Sequence, residues 1–131
     1  MHPRFHHTLT IPKSAIDSNG HVNNVLYVQW MQDAAIAHSN SVGDTIARQQ
    51  EEESTWVAKT HTIDYLKPAY EGETLVVETW AESFKKVASV RLYRFLRGEE
   101  EIAKASTVWV YLDTHSLRPK AIPEGVSALY M

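Results

Sequence analysis

The fold is decided by the stretch DSNGHVNNVLYVQW, residues 17–30, in which a turn runs directly into a helix. Asp, Ser, Asn and Gly are the residues that turns favour, and Asn23 or Asn24 offers a side-chain oxygen that can cap a helix. Apolar positions then recur at spacings of three and four: Tyr27, Trp30, Met31, Ala34, Ala35 and His38. Polar residues gather on a narrow side: Gln29, Gln32 and Asp33. The pattern predicts a helix that ends near His38 and is buried on most of its sides.

Strand patterns lie on both sides of this helix. Before it, residues 4–11 alternate between apolar and polar side chains and are followed by Pro12. After it, a new alternation runs over residues 56–65. Three more segments are rich in β-branched and aromatic residues: 74–84, 87–96 and 102–112. The sequence therefore predicts five strands, one before the helix and four after it.

The segment between the helix and the second strand, residues 39–54, is less regular. It contains Gly43 and the acidic run Glu51-Glu52-Glu53. Such a composition is typical of a solvated connection with room for a short helix. The tail beyond residue 112 has no clear pattern of its own.

The order of these elements predicts an α+β fold. A long helix that is apolar on most sides needs a curved antiparallel sheet wrapped around it. A chain of 131 residues, with no internal repeat or linker, suits one hydrophobic core. We therefore expect a single domain over residues 1–131.

The overall composition excludes several classes of function. A net charge of -3 does not suit a surface built to collect nucleic acid, which needs an excess of Lys and Arg. The absence of Cys excludes a thiol nucleophile and a thiolate metal site. No apolar run is long enough for a membrane span, and Met1 to His7 lack the apolar stretch of a signal peptide. We expect a cytoplasmic protein that binds neither membrane nor nucleic acid.

Three polar residues converge just before the helix. Asp17, Asn19 and His21 supply a carboxylate, an amide and an imidazole at alternate positions. The first N–H groups of a helix, here near Asn24, lack internal partners and can stabilise a developing oxyanion. Acyl transfer needs that feature together with a nucleophile or a base. Taken singly, however, the same residue types are typical of ordinary turns, so their spacing alone does not identify an enzyme.

The string D-S-N-G-H-V-N-N-V-L-Y-V-Q-W resembles the hotdog thioesterases. It is similar both to the 4-hydroxybenzoyl-CoA thioesterase-like group and to the plant acyl-ACP thioesterases, which share the pattern D-x-N-x-H-V-N-N-x-x-Y. The later string I-D-Y-L-K-P-A-Y-E-G-E, residues 63–73, resembles the strand and turn typical of the same family. The resemblance implies a hotdog fold, a central helix wrapped by a five-stranded sheet. It also implies hydrolysis of an acyl-CoA thioester without a cofactor.

The resemblance assigns roles to the polar residues before the helix. Asp17 matches the carboxylate that acts as nucleophile or general base, and Asn19 and His21 match an amide and an imidazole of the plant enzymes. The oxyanion donor is the backbone N–H near Asn24. Three roles are open for His21: orienting Asp17, hydrogen bonding to the thioester carbonyl, or merely satisfying the turn. We favour one of the first two. Where the plant enzymes carry an acidic residue and a Cys, this chain has Pro68-Ala69, so their full catalytic set is not reproduced.

The resemblance also suggests substrate contacts. Lys85 and Lys86 resemble the basic residues that hold the CoA phosphates, although a solvated hairpin explains them equally well. Arg91 and Arg94 are weaker candidates for the same task. Tyr27 can line an acyl pocket or serve as plain core. No metal site is expected.

Related hotdog domains pair their sheets and share active sites between subunits. The resemblance therefore implies a homodimer or a homotetramer. Two other functions stay open: a hotdog dehydratase or hydratase, and a module that binds acyl-CoA without hydrolysing it. The D-x-N-G-H-V-N-N string fits thioesterases better than the first, and the chain has no room for the DNA-binding segment of known acyl-CoA regulators.

Overall fold

A computed structural model describes residues 3–131; Met1 and His2, the start of the segment expected to lack a signal peptide, lie outside it. The strands are β1 (Phe5–Thr10), β2 (Ser54–Tyr65), β3 (Thr74–Lys85), β4 (Ala88–Arg97) and β5 (Glu100–Asp113). The helices are α1 (Val25–Val42), α2 (Ile46–Glu51) and α3 (Glu124–Ser127), with 3-10 turns at Lys13–Ala15 and Ala128–Tyr130. Over residues 3–131, no helix is long and apolar enough to cross a membrane.

The five strands form one antiparallel sheet in the order β1-β3-β4-β5-β2. The register shifts between Ala58 and Thr60, between Ala81 and Ser83, and between Phe95 and Leu96. Bulges of this kind bend strands and increase their twist, so the sheet curves around α1. The predicted α+β architecture, a long helix wrapped by five antiparallel strands, is confirmed.

The core lies between α1 and the concave face of the sheet. The buried residues of α1 are the six that the sequence pattern predicts: Tyr27, Trp30, Met31, Ala34, Ala35 and His38. Met31 and Phe95 have no exposed surface, and the Tyr27 ring meets the Phe95 ring edge-on with centroids 5.0 Å apart. Full burial of such large apolar side chains contributes about 1.5–3 kcal/mol each. This packing fixes the helix, and hence its N-terminus, against the sheet.

The helix α1 is one turn longer than predicted and ends at Val42 rather than near His38. Gly43 follows with φ 94°, a left-handed conformation that glycine adopts without steric cost. The N–H of the next residue, Asp44, donates to the carbonyl of Ser39 at 2.8 Å, which closes the helix end.

Residues 39–54 are mostly exposed or half-buried, as predicted for a solvated connection, but three polar residues of the segment are buried: Asp44, Gln49 and Ser54. The short helix α2 is present, and the Thr45 hydroxyl caps it by accepting from the Arg48 N–H at 3.1 Å. Asp44 and Gln49 are 1% and 7% exposed, respectively. The acidic run of residues 51–53 faces solvent, as do residues 40, 41, 43, 46, 47 and 50. Asp44 and Gln49 are buried because their polar groups find hydrogen-bond partners within the fold.

A buried carboxylate, that of Asp44, organises this region. One of its oxygens accepts from Arg48 and Gln49, and the other accepts from Trp56 Nε1 and Tyr130 Oη. Burial raises the pKa of the Asp44 carboxyl, but the hydrogen bonds from Tyr130, Arg48 and Trp56 outweigh it and hold the pKa below its ordinary value. The carboxylate therefore ties α2, β2 and the C-terminal turn together in its ionised form.

Candidate active site

The turn at residues 17–21 is closed by backbone hydrogen bonds. The Asp17 N–H donates to the His21 carbonyl at 3.1 Å, and the Gly20 N–H donates to the Asp17 carbonyl at 3.0 Å. Gly20 has φ 82°, which explains why glycine occupies this position. The Asp17 carboxylate accepts from the Asn19 N–H at 2.9 Å through Oδ1. Its orientation is therefore fixed by the turn, and no hydrogen-bond donor within residues 3–131 occupies Oδ2.

The turn is fastened to its surroundings by main-chain contacts. The Val22 N–H donates to the Ala69 carbonyl at 2.8 Å, and the Asn23 N–H donates to the Ala15 carbonyl at 2.9 Å. The first bond joins the turn to the loop after β2, and the second joins it to the 3-10 turn after β1. Ala15, Val22 and Ala69 are all buried, so both anchors are shielded from water.

Asn23, rather than Asn24, caps α1. Its Oδ1 accepts from the Val25 N–H at 3.0 Å, and its carbonyl accepts from the Leu26 N–H at 3.0 Å. The Asn24 backbone is already helical, with φ -55° and ψ -29°. Within residues 3–131 the Asn24 N–H has no hydrogen-bond partner. It is thus the free donor at the helix start, at the position where the resemblance expects an oxyanion donor.

A cleft of about 330 Å³ opens beside this helix start. Its walls include His21, Asn24, Tyr27 and Tyr65. Tyr65 Oη donates to the Asn24 carbonyl at 3.1 Å, and Tyr27, 2% exposed, lies at the base. Burial raises the pKa of Tyr27 to about 12, so its phenol stays protonated near neutral pH. Tyr27 is both a cleft residue and a core residue, as the sequence allowed.

Of the predicted catalytic residues, His21 and Asn24 line this cleft, whereas Asp17 and Asn19 lie in the adjoining turn and are not among its lining residues. The four do not form one hydrogen-bonded set. The His21 imidazole approaches the Val22 carbonyl, with Nδ1 at 3.4 Å, and makes no hydrogen bond to Asp17. Asn19 contributes its backbone N–H, while its side chain is exposed. Of the two roles favoured for His21, hydrogen bonding to a substrate in the cleft fits this geometry better than orienting Asp17.

Lys85 and Lys86 lie at the far end of the sheet from Asp17 within one chain. The first residue of β3, Thr74, pairs with Thr10, the last residue of the strand that precedes the turn at residues 17–21, whereas Lys85 is the last residue of β3. Eleven residues of strand extend over roughly 36 Å. Lys86 has φ 49° and accepts at its carbonyl from the Ile122 N–H, so its backbone shapes a tight, exposed hairpin. One chain by itself does not bring these lysines to the candidate site.

Arg91 and Arg94, the weaker candidates for holding the CoA phosphates, lie on opposite faces of the sheet. Arg94 is bonded to Glu78 and Glu101 on the outer face of the sheet. Arg91 is 5% exposed and lies on the inner face. An exposed phosphate group therefore does not reach Arg91, and Arg94 already has two carboxylate partners.

A second cavity, which the sequence did not reveal, lies at the other end of α1. It has a volume of about 290 Å³ and lies between α1, α2 and the sheet. Its walls include Ile36, Trp56, Ser89, Arg91 and Tyr130. The one available sequence signal was the alternation of β4, which places position 91 on the same buried face as the aromatic residues at 93 and 95.

Among the described residues, no group of three or more His, Asp or Glu side chains is arranged to hold a metal ion. The adjacent His6 and His7 differ in exposure, as expected for neighbours on a strand, and His6 Nε2 lies 3.0 Å from Glu78.

The chain is similar over most of its length to known thioesterases. Residues 11–129 match the thioesterase-like superfamily, so the chain belongs to that family. A curated relative from Bacillus subtilis, named "Putative acyl-CoA thioesterase YneP", is 27% identical over 117 residues, covering 86% of this chain and 85% of its own. The predicted class, a thioester hydrolase, is confirmed.

Solved structures share the fold over nearly the whole chain. A structure titled as an oleoyl thioesterase (putative) from Lactobacillus plantarum superposes with a TM-score of 0.94 and 16% identity over 98% of this chain, which spans about half (51%) of that protein. The protein SAV2348 from Staphylococcus aureus, solved in complex with CoA, superposes with a TM-score of 0.90 and 18% identity, covering 98% of this chain and 82% of its own. The predicted hotdog fold is confirmed.

Proposed function

We propose that this protein hydrolyses an acyl-CoA thioester to the free acid and CoA. The observation that carries the proposal is the position of the Asp17 carboxylate, fixed by its turn just before a helix start whose Asn24 N–H is free. The name of the Bacillus subtilis relative and the CoA complex of the Staphylococcus aureus protein support CoA as the carrier.

The proposed chemistry uses three groups of the chain. The thioester carbonyl receives a hydrogen bond from the Asn24 N–H, where the positive end of the α1 dipole favours a developing oxyanion. The Asp17 carboxylate either attacks the carbonyl carbon or removes a proton from the attacking water. The carbon–sulfur bond breaks, CoA leaves as the thiol, and water supplies the oxygen of the acid. His21 donates a second hydrogen bond from the cleft wall.

A thiol-release assay over a panel of acyl-CoAs tests this function. The panel varies chain length and includes aryl-CoAs, because the cleft has both aromatic and aliphatic walls. We expect turnover of at least one class well above the rate without enzyme. Absence of thiol release across the whole panel would overturn the proposal.

We propose further that the active assembly is a homodimer formed through β2. This strand is an edge of the sheet, paired with β5 alone. Large apolar residues are exposed on it or next to it: Val25 (72%), Ile36 (53%), Ile46 (58%), Val57 (37%) and Tyr65 (42%). An unpaired edge flanked by exposed apolar side chains favours pairing with a second copy.

Antiparallel pairing of two β2 strands has a geometric consequence. A two-fold axis near the middle of the strand places the Tyr65 end of one copy beside the Ser54 end of the other. The helix start with Asn24 then lies near the 290 Å³ cavity of the second copy, which Thr55 and Trp56 help to line. The Lys85–Lys86 hairpin of the second copy comes to the same end of the joined sheet.

Sedimentation at micromolar concentration checks the assembly. We expect a dimer or a larger even oligomer. The variant Val57→Asp places a charge on the exposed side of β2 and is expected to shift the protein toward monomer with a loss of turnover. Asp64→Asn, an exposed substitution on the same strand, serves as a control. A wild-type monomer with full activity would contradict the shared site.

The two hairpin lysines give a separate test of the carrier. Replacing both Lys85 and Lys86 with Ala is expected to raise KM for acyl-CoA severalfold and to weaken its dependence on salt, with little change in kcat. The reason is that phosphate contacts bind the substrate and the transition state equally. Lys104→Ala, at an exposed position on β5, should leave KM unchanged. An unaltered KM in the double variant would leave these residues as a solvated hairpin.

A further inference from the structure

The cavity at the C-terminal half of α1 contains a buried cation. Arg91 projects from the inner face of β4 and is 5% exposed. Its Nη1 donates to His38 Nδ1 at 2.8 Å and to Thr79 Oγ1 at 3.1 Å. The Thr79 hydroxyl carries no charge. His38 is neutral as well, because burial and the nearby Arg91 lower its pKa to about 4. Among residues 3–131, no carboxylate is hydrogen-bonded to Arg91.

The carboxylate that lines the same cavity, Asp44, is already saturated with hydrogen bonds. Its two oxygens accept from four donors of the chain: Arg48, Gln49, Trp56 and Tyr130. Asp44 lowers the local potential, but it offers no free lone pair in the direction of Arg91. Burial lowers the pKa of Arg91, yet a guanidinium starts so far above neutrality that it keeps its charge.

The rest of the Arg91 guanidinium faces the cavity. Nε and Nη2 have no hydrogen-bond partner among the described residues, and the side chain lines the cavity wall. Both nitrogens keep some contact with solvent. The described side-chain atoms that lack both a hydrogen-bond partner and solvent contact belong to three other residues: Arg48, Trp109 and Tyr111. Guanidinium nitrogens with free N–H groups in a confined space are suited to bind a carboxylate in a bidentate manner.

Around this cation the cavity is largely apolar. Its other lining residues include Ala35, Ile36, Ala81, Phe84 and Trp109. Its volume of about 290 Å³ lies near the lower limit of small-molecule sites, which measure roughly 300–1,000 Å³. The space therefore fits a short chain with a polar end and is too small for the bulky nucleotide of CoA.

We propose that this cavity is a carboxylate-recognising subsite, so that the preferred substrates are short acyl-CoAs whose acyl group ends in a second carboxylate. The inference rests on the proposed thioesterase function and on the dimer through β2. Within one chain Asp17 precedes the N-terminus of α1, whose 18 residues span about 27 Å, whereas the cavity lies along the C-terminal half of that helix. Antiparallel pairing of β2 places the cavity of one copy next to the Asn24 helix start of the other.

If Arg91 has a purely structural role, a different result is expected. The Tyr130 ring lies 5.6 Å from the guanidinium carbon, and the charge of Asp44 is close, so the fold partly compensates the cation by itself. In that case the distal end of the acyl group has no influence on turnover.

The first experiment compares matched substrates on the wild-type protein. Glutaryl-CoA is paired with pentanoyl-CoA, and adipoyl-CoA with hexanoyl-CoA, so that chain length is constant and the distal carboxylate is the difference. We expect kcat/KM to be at least about tenfold higher for the carboxylate member, which corresponds to about 1.4 kcal/mol. Equal values, or a preference for the uncharged member, would overturn the subsite while leaving the thioesterase function intact.

Variants then locate the preference. Arg91→Gln should abolish the preference for the substrate with the distal carboxylate. Arg91→Lys, which keeps the charge but loses the bidentate geometry of the guanidinium, should retain part of that preference. Ser89→Leu keeps Arg91 and fills the cavity beside it, so it should remove the preference even if the Arg91 variants fail to fold. Arg94→Gln, on the outer face of the same strand, should preserve the preference. A folded Arg91→Gln or Ser89→Leu protein with the wild-type preference would overturn the assignment.

Discussion

Asp17→Asn is expected to lower kcat by at least ~10²-fold, the low end for a positioned general base, without a change in thermal unfolding. An amide has nearly the size of the carboxylate and can still accept the Asn19 N–H, so the turn should persist. It can neither attack the thioester nor take a proton from water. Thiol release and thermal unfolding, measured side by side, separate the chemistry from the fold.

The chain offers a matched control for this substitution. Asp113 accepts from the His115 and Ser116 N–H groups at 2.9 Å, so it has the same kind of turn role and is not among the residues that line the cleft of its own chain. Asp113→Asn should keep full turnover. His21→Ala should lower kcat less than Asp17→Asn does if the imidazole only donates a hydrogen bond. Wild-type turnover in a folded Asp17→Asn protein would remove Asp17 from the mechanism and make His21 the next base to test.

Asp44→Asn is expected to reduce the free energy of unfolding by about 3–5 kcal/mol. Each oxygen of the carboxylate accepts from two donors. In the variant an NH2 group replaces one of these oxygens and places its own donors against the donors of the chain. The Arg48 charge also loses its buried partner. Chemical denaturation of the variant beside the wild type measures the loss. Glu52→Gln, which removes the exposed partner of Arg48, should cost less than about 1 kcal/mol.

The pH dependence of that loss provides an internal check. Because the pKa of Asp44 is lower in the folded protein, its ionised form stabilises the fold at pH values above the ordinary aspartate pKa. This stabilisation disappears as the pH falls through the folded-state pKa. The difference between wild type and Asp44→Asn should therefore be full at neutral pH and narrow in strong acid. A difference that stays constant down to pH ~2 would contradict an ionised Asp44.

The helix and the sheet could be predicted from sequence because their signals are local and repeated. All six residues that the 3.6-residue period assigns to the buried side of α1 are buried. The turn at residues 17–21 could also be predicted, since Asp17, Asn19 and His21 come directly before the helix start. Its hydrogen bonds lie within a few residues of one another, so the string itself specifies the geometry.

The errors arise where partners are distant in the chain. The segment around Asp44 was predicted to be solvated because no neighbouring residue in the sequence indicates the hydrogen bond from Tyr130, which lies 86 residues away. The same limitation applies to Arg91, whose partner His38 is 53 residues away. Residue type alone predicts a surface position for both, and tertiary pairing overrides that preference.

The anchoring of the turn at residues 17–21 has an evolutionary consequence. The bonds from Val22 to Ala69 and from Asn23 to Ala15 join main chain to main chain, so they do not depend on which side chains the turn displays. Positions 18, 19 and 21 can then accept replacement without loosening the scaffold. Relatives of low identity can keep one backbone while they exchange the groups it presents, and a library randomised at these positions would explore new reactions on an unchanged frame.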